Sequence, residues 1–209
     1  MGNREWLAPL TGVLFVALVI VGFIVGGEPP SADDPAQEIV DFYVDNKDSV
    51  MIGAGLIGIA ATLFVFFGGY LRKVLRAAEG EGGVLSAVSF AGVIIFAAGV
   101  AIDATLSFGM AESAEDIDPV GVQTIQAIWD NDFVPFAVGL QVFLLSTGIS
   151  VVRHGALPQW LGWIAIVLGV IAATPIGFAA FMGSAVWVLI VSVMLAMRAR
   201  GPAAPAPTA

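Results

Sequence analysis

From Gly155 to Met197, forty-three residues pass without an Asp, Glu, Lys, Arg or His. No soluble core needs so long an uncharged stretch. A bilayer core about 30 Å thick takes roughly 20 residues of helix, so one crossing leaves half the run unused and two crossings joined by a turn consume it. Arg153 and His154 stand before the run, and Arg198 and Arg200 close it. Lys and Arg are retained on the cytoplasmic side, so both ends belong on one face and the number of crossings between them is even. The expected pair is a span over about 160–176, a turn within Gly177 to Gly183, and a return over about 184–199.

The same reasoning divides the rest of the chain. Trp6 to Gly27 is uncharged for twenty-two residues and predicts a first span over about 7–26. A cleaved signal peptide is the competing reading, but the run is longer than the usual h-region of about 7 to 15 residues and no A-x-A site follows it. Ser49 to Leu71 is uncharged for twenty-three residues and is stopped by Arg72, Lys73 and Arg76, which places a second span over about 50–71 and its end inside. Further spans are expected over about 84–110 and 133–152, with a flexible turn from Glu79 to Gly83 between the second and third. Gly22-x-x-x-Gly26 and the small residues Gly53, Ala54, Gly55, Gly58, Ala60 and Ala61 read as places where helices pack closely.

Two acidic loops separate these spans. Glu28 to Asp48 holds seven acids and one base, Lys47; Glu112 to Asp132 holds six acids and no base. Each carries an Asp-Pro pair, Asp34-Pro35 and Asp118-Pro119, of the kind that opens a helix: the Asp as N-cap, the Pro at the first helical position, and in the first loop Gln37 as the far side of a capping box. Asp34, Pro35 and Asp48 recur as Asp118, Pro119 and Asp132 at a constant offset of 84, which suggests a tandem pair of units, each a span, a capped helix and a returning span. The first loop's helix either lies on the outer interface or runs into the next span. The fold class is therefore all-α: a polytopic membrane bundle over residues 1–200 with six transmembrane helices in three hairpins and two short extracytoplasmic helices, then a disordered cytoplasmic tail over 201–209.

Composition agrees, with 58% hydrophobic and 12% charged residues against about 25% charged in an average soluble domain. Seven of the eight Lys and Arg fall on the expected cytoplasmic side and thirteen of the seventeen acids in the two outer loops. An acidic outer face either concentrates cations or keeps the surface hydrated, and nucleic acid is not an expected partner of a chain with net charge -9. The absence of cysteine removes disulfides, thiolate metal sites and Cys nucleophiles. His154, the single histidine, sits in an inner turn, which argues against haem, multi-histidine zinc and Ser-His chemistry; neither lysine lies in a span, so a buried retinal Schiff base has no attachment point. Asp130, Asn131 and Asp132 beside Trp129 offer at most a weak site for a hard cation. No catalytic residue, cofactor or resident metal is expected. Trp6, Trp160 and Trp163 fall at inner span ends, where indoles anchor at the interface.

One ionisable side chain falls within a span. Asp103, at the cost of an intramembrane acid, on the order of 2.5 to 3.5 kcal/mol when central, should have a partner. Counted from Glu112 and Asp132, Asp103 and Gln141 lie equally deep, so the Gln141 amide is the expected donor, with Ser107 one turn further out, Gly99 leaving room one turn in, and Thr174 near the outer end of the fifth span as a third polar group. This set reads either as a cation or proton site reached from the acidic face, or as a hydrogen-bonded packing contact.

The segment from Pro35 to Arg76, with EIVDFYVDNKDSV leading into a Gly-rich span that ends in LRKVLR, and HGALPQWLGW before the fifth span, resembles a broad group of uncharacterised bacterial six-span integral membrane proteins sharing a domain of unknown function. The resemblance implies a bacterial inner-membrane location with both termini cytoplasmic, and brings no activity or functional residue with it. The expected function is non-enzymatic, exerted by packing with lipids of the bilayer and with a protein partner or a second copy of the chain; the alternative is a small cation- or proton-linked transporter centred on Asp103.

Overall fold

The computed structural model describes residues 5–200, so the expected disordered tail and the first four residues lie outside the described part. Among the described residues the regular elements are eight α-helices: α1 (Leu7–Gly26), α2 (Ala36–Asp45), α3 (Lys47–Glu79), α4 (Val84–Ser113), α5 (Pro119–Trp129), α6 (Phe133–His154), α7 (Gln159–Ile171) and α8 (Gly177–Arg200). Five apolar stretches are helical and long enough to cross a membrane, in α1, α3, α4, α8 and the α5 and α6 segment, which makes this a membrane protein. The sixth apolar helix, α7, has 13 residues and spans about 20 Å.

Several boundaries move from their expected places. The last turn of the chain lies at Ala172 to Ile176, not within Gly177 to Gly183, because Pro175 disfavours helical backbone in the residue before it. Thr174 therefore leaves its span for an exposed turn, and Gly183 sits inside α8 against Leu168. Helix α3 runs on through Arg72 and Lys73 to Glu79, so the turn before α4 is only Gly80 to Gly83, with three glycines at positive φ. Asp118 caps α5 as expected, accepting from Val120 N at 3.0 Å with Pro119 in the first turn. Asp34 does not cap α2: its carboxylate accepts from Ser31 N at 2.9 Å, Pro35 takes the cap position, and Gln37 turns to Asp41 instead of closing a capping box. Helix α2 is separate from α3, broken at Asn46 alone.

The six apolar helices close into a ring in the order α1, α3, α4, α6, α7, α8, with α8 returning to α1 and α3 touching α6 across the middle. Lipid tails are as apolar as leucine, so such helices are held by van der Waals contact and buried hydrogen bonds. Close approach is made possible by glycine. A Cβ on Gly139 would meet the backbone of Phe96, and one on Gly92 the backbone of Phe143, so α4 and α6 cross backbone to backbone; Gly53 is 2.7 Å, measured from the position of its missing Cβ, from the Gly22 carbonyl where α1 meets α3.

Aromatic rings fill the centre of the ring. Phe64 stacks on Phe15 at 4.5 Å and meets Phe96 and Phe143 edge-on at 5.3 and 5.6 Å, and Phe143 meets Trp187 at 5.9 Å. Each such pair adds about 0.5–1.5 kcal/mol beyond its area, and together they make a plug rather than a pore. Several polar side chains among the helices are paired: Ser89 with Thr147 at 2.7 Å, the Trp187 indole N–H with the Leu161 carbonyl at 3.0 Å, and Glu79 with Ser86 N and the Ser150 hydroxyl, whereas the buried Ser192 hydroxyl has no partner. At the arginine end Arg200 lies over the Trp6 ring at 3.8 Å.

A second, smaller core sits at the opposite end. Ile39, Val40 and Tyr43 of α2, Val50 of α3, Met110 and Ala111 of α4 and Val122 of α5 bury one another there. Helices α2 and α5 pack together over the bundle as a cap.

Candidate functional site

Asp103 lies between the two cores, half-buried, in the wall of a cavity of about 40 Å³. The cavity is bounded by the cap-end residues of α1 and α3, by Asp103, Ala104 and Ser107 of α4, and by Tyr43 and Trp129 of the cap. Trp129 is the donor turned toward the Asp103 carboxylate, but its indole N–H stops short of hydrogen-bonding geometry and has no other partner. Ser107 lines the same cavity and donates to the Asp103 main-chain carbonyl at 3.2 Å rather than to its carboxylate.

The structure does not bring Gln141 to Asp103. Three contacts fix the register of α4 against α6: Gly92 on Phe143, Phe96 on Gly139, and Gly99 on Phe136. Continued one turn toward the cap, that register sets Asp103 level with Asp132. Gln141 lies nine residues deeper along α6, about 13 Å away along the axis. The expected pairing assumed that α4 and α6 end at one height. Instead α4 overhangs α6 by more than two turns, carrying Met110 and Ala111 into the cap core. Gly99 does make room, but for Pro135 and Phe136, and Thr174 is an exposed turn residue bonded to the Ile171 carbonyl at 2.7 Å. Of the four expected polar residues, then, only Asp103 and Ser107 share a site.

A hydrogen-bond chain that the sequence pattern did not announce runs above the cavity. The Tyr43 hydroxyl donates to Gln126 Oε1 at 2.8 Å, Gln126 Nε2 donates to Asp130 Oδ1 at 2.9 Å, and Asp130 Oδ2 accepts from Ala32 N at 2.8 Å and from the Ser31 hydroxyl at 3.5 Å. Gln123 adds donations to the Ala32 and Asp34 carbonyls at 2.9 and 3.0 Å. These bonds tie the first acidic loop and α2 to α5 across the two halves of the tandem arrangement. Asp130 thus spends both oxygens on protein donors instead of a cation. Burial pushes the Tyr43 phenol well above its ordinary range, the Asp130 and Asp103 charges adding to it, so Tyr43 stays a donor. One signal for Gln126 was present: it stands one turn after Val122 on the stripe that α5 buries.

Chemically, the arrangement offers one carboxylate in a small, largely apolar cavity with no basic residue in its lining. The volume admits a few waters or one small ion, not an organic substrate of metabolite size. No family model matches the chain, and no curated protein and no solved structure matches it either.

Proposed function

We propose that the chain is a non-enzymatic integral membrane protein of six spans in three hairpins, resident in a bacterial inner membrane, with both termini cytoplasmic and the α2 and α5 cap on the outer face. In this reading it acts by packing against lipids and a protein partner or second copy. The charge pattern supports the orientation: Arg72, Lys73, Arg76, Arg153, Arg198 and Arg200 gather at the end away from the cap, and the acids of the two loops at the cap. At about 20 Å, α7 crosses by local thinning of the bilayer and shelter between α6 and α8. The observation that carries a packing rather than a conducting role is the ring centre filled by Phe15, Phe64, Phe96 and Phe143. Proteoliposomes bearing the purified chain should then pass protons and monovalent cations no faster than protein-free ones, while native mass spectrometry from nanodiscs retains bound lipid or a second copy. A flux that disappears in Asp103→Asn would replace this reading.

The second reading, a small cation- or proton-linked transporter centred on Asp103, is favoured by one feature: an acid in the bundle wall with no basic residue lining its cavity. It requires the aromatic plug to part during the cycle.

A further inference from the structure

An intramembrane acid is normally neutralised by a basic partner, a proton or a bound cation. The cavity around Asp103 supplies no Lys, Arg or His, and Asp132, level with it, has the same sign. No countercharge within the protein lines the cavity, so the carboxyl is neutralised by a proton or by a bound cation. What else lines the cavity decides its chemistry. Four aromatic side chains, Phe23, Phe42, Tyr43 and Trp129, stand around it, whereas oxygen ligands are scarce. Ser107 is bonded to the Asp103 main chain, and the Tyr43 hydroxyl proton is committed to Gln126. A hard cation such as Ca²⁺ requires about six to eight oxygens and is undersupplied here. A weakly hydrated cation gains from ring faces.

Two further observations point the same way. Asp132 Oδ2, an acceptor at this level, is buried without a protein partner. The volume, about 40 Å³, suits one ion with a water and excludes bulky quaternary amines. Gly27 and Pro29 of the first acidic loop form part of the wall on the cap side, while the aromatic plug lies beneath.

We propose that the Asp103 cavity is a binding site for a small ammonium-type monovalent cation, admitted from the cap face, with the Asp103 carboxylate as its counter-ion and the rings of Phe42, Tyr43 and Trp129 as its walls. The inference deepens the second functional reading by naming the ligand class of that site. It is tested by equilibrium binding in detergent, so a protein that binds the ion without transporting it fails that reading and leaves the site standing.

The experiment is isothermal titration calorimetry on the full chain with ammonium chloride, methylammonium chloride and, for comparison, sodium chloride at constant ionic strength, with choline chloride, a bulky quaternary salt, as balance and tetramethylammonium chloride as the size control. Saturable binding of the two smaller ions, with none of tetramethylammonium, is expected. Asp103→Asn should abolish the signal, and Phe42→Leu, which leaves the carboxylate in place, should weaken binding about 3- to 10-fold. If Asp103→Asn does not fold, Phe42→Leu and Trp129→Leu carry the test. Equal heats for sodium and ammonium, tetramethylammonium binding as tight as ammonium, undiminished binding by Asp103→Asn, or unchanged affinity in both ring variants would each overturn the proposal.

Discussion

The two helices of the cap are joined by a bond whose value can be measured from both sides. Tyr43 and Gln126 are 1% and 0% exposed, and the phenol donates to the amide oxygen at 2.8 Å. Tyr43→Phe removes the donor and leaves Gln126 Oε1 buried without a partner. Gln126→Leu strands the Tyr43 hydroxyl in the same apolar core, among Ile39, Val50 and Val122. A buried group stripped of its partner costs about 1–3 kcal/mol, whereas removing both partners together is nearly neutral. Each single variant should therefore lower stability by about 1–3 kcal/mol. The double variant should cost less than the sum of the two by roughly 1–2 kcal/mol. For a chain of this size 1 kcal/mol corresponds to about 2–4 °C in Tm, within reach of differential scanning fluorimetry in detergent. Single variants whose losses add within about 0.5 kcal/mol in the double variant would refute the reasoning, since the two groups would then not be each other's partner.

Three other outcomes follow from the same structure. Gly139→Val should cost about 1–3 kcal/mol or more by forcing α4 off Phe96. Gly55→Ala, with nothing within 4 Å, should instead leave Tm unchanged or raised, as a thermal melt of both variants will show. In an absorbance titration at 295 nm, the difference between wild type and Tyr43→Phe should show no phenolate step near pH 10, because the folded phenol titrates above the unfolded value of 10.0. The sign of the linkage is that the contribution of Tyr43 to stability is complete below that pH and lost as pH rises beyond it. Glu79→Ala should free the first turn of α4, where Glu79 accepts from Ser86 N, and speed amide exchange over residues 84–87 while Glu79→Gln slows that change.

The long helices were legible because charge bounds their apolar stretches: Arg72 and Lys73 below, the acidic loops above, and long uncharged runs between, although α3 itself continues to Glu79. Asp118-Pro119 announced α5 for the same local reason that it forms, a side-chain acceptor one residue before a proline. Pro175 carried the position of the last turn, but Gly177 and Gly183 drew attention because glycine also breaks helices in water; in the bundle Gly183 instead admits Leu168. The partner of Asp103 could not be read by counting from the loops. Depth within a span depends on how far each helix overhangs its neighbour, and that stagger is set by the crossing of Gly92 and Gly139 with Phe143 and Phe96, a tertiary contact. Glu79 looked like part of a flexible turn because its partners, Ser86 and Ser150, are seven and seventy-one residues away.

Whether α7 crosses the bilayer decides whether the chain passes through it six times with both ends on one face. A chain without cysteine allows single thiols to be placed at will. Glu81→Cys, Asp116→Cys and Thr174→Cys, each probed in intact cells with a membrane-impermeant maleimide, test it directly. Asp116→Cys and Thr174→Cys should be labelled from outside, while Glu81→Cys should be labelled only after lysis. Labelling of Thr174→Cys only after lysis, alongside Glu81→Cys, would contradict it and reduce α7 to a helix that never reaches the outer face.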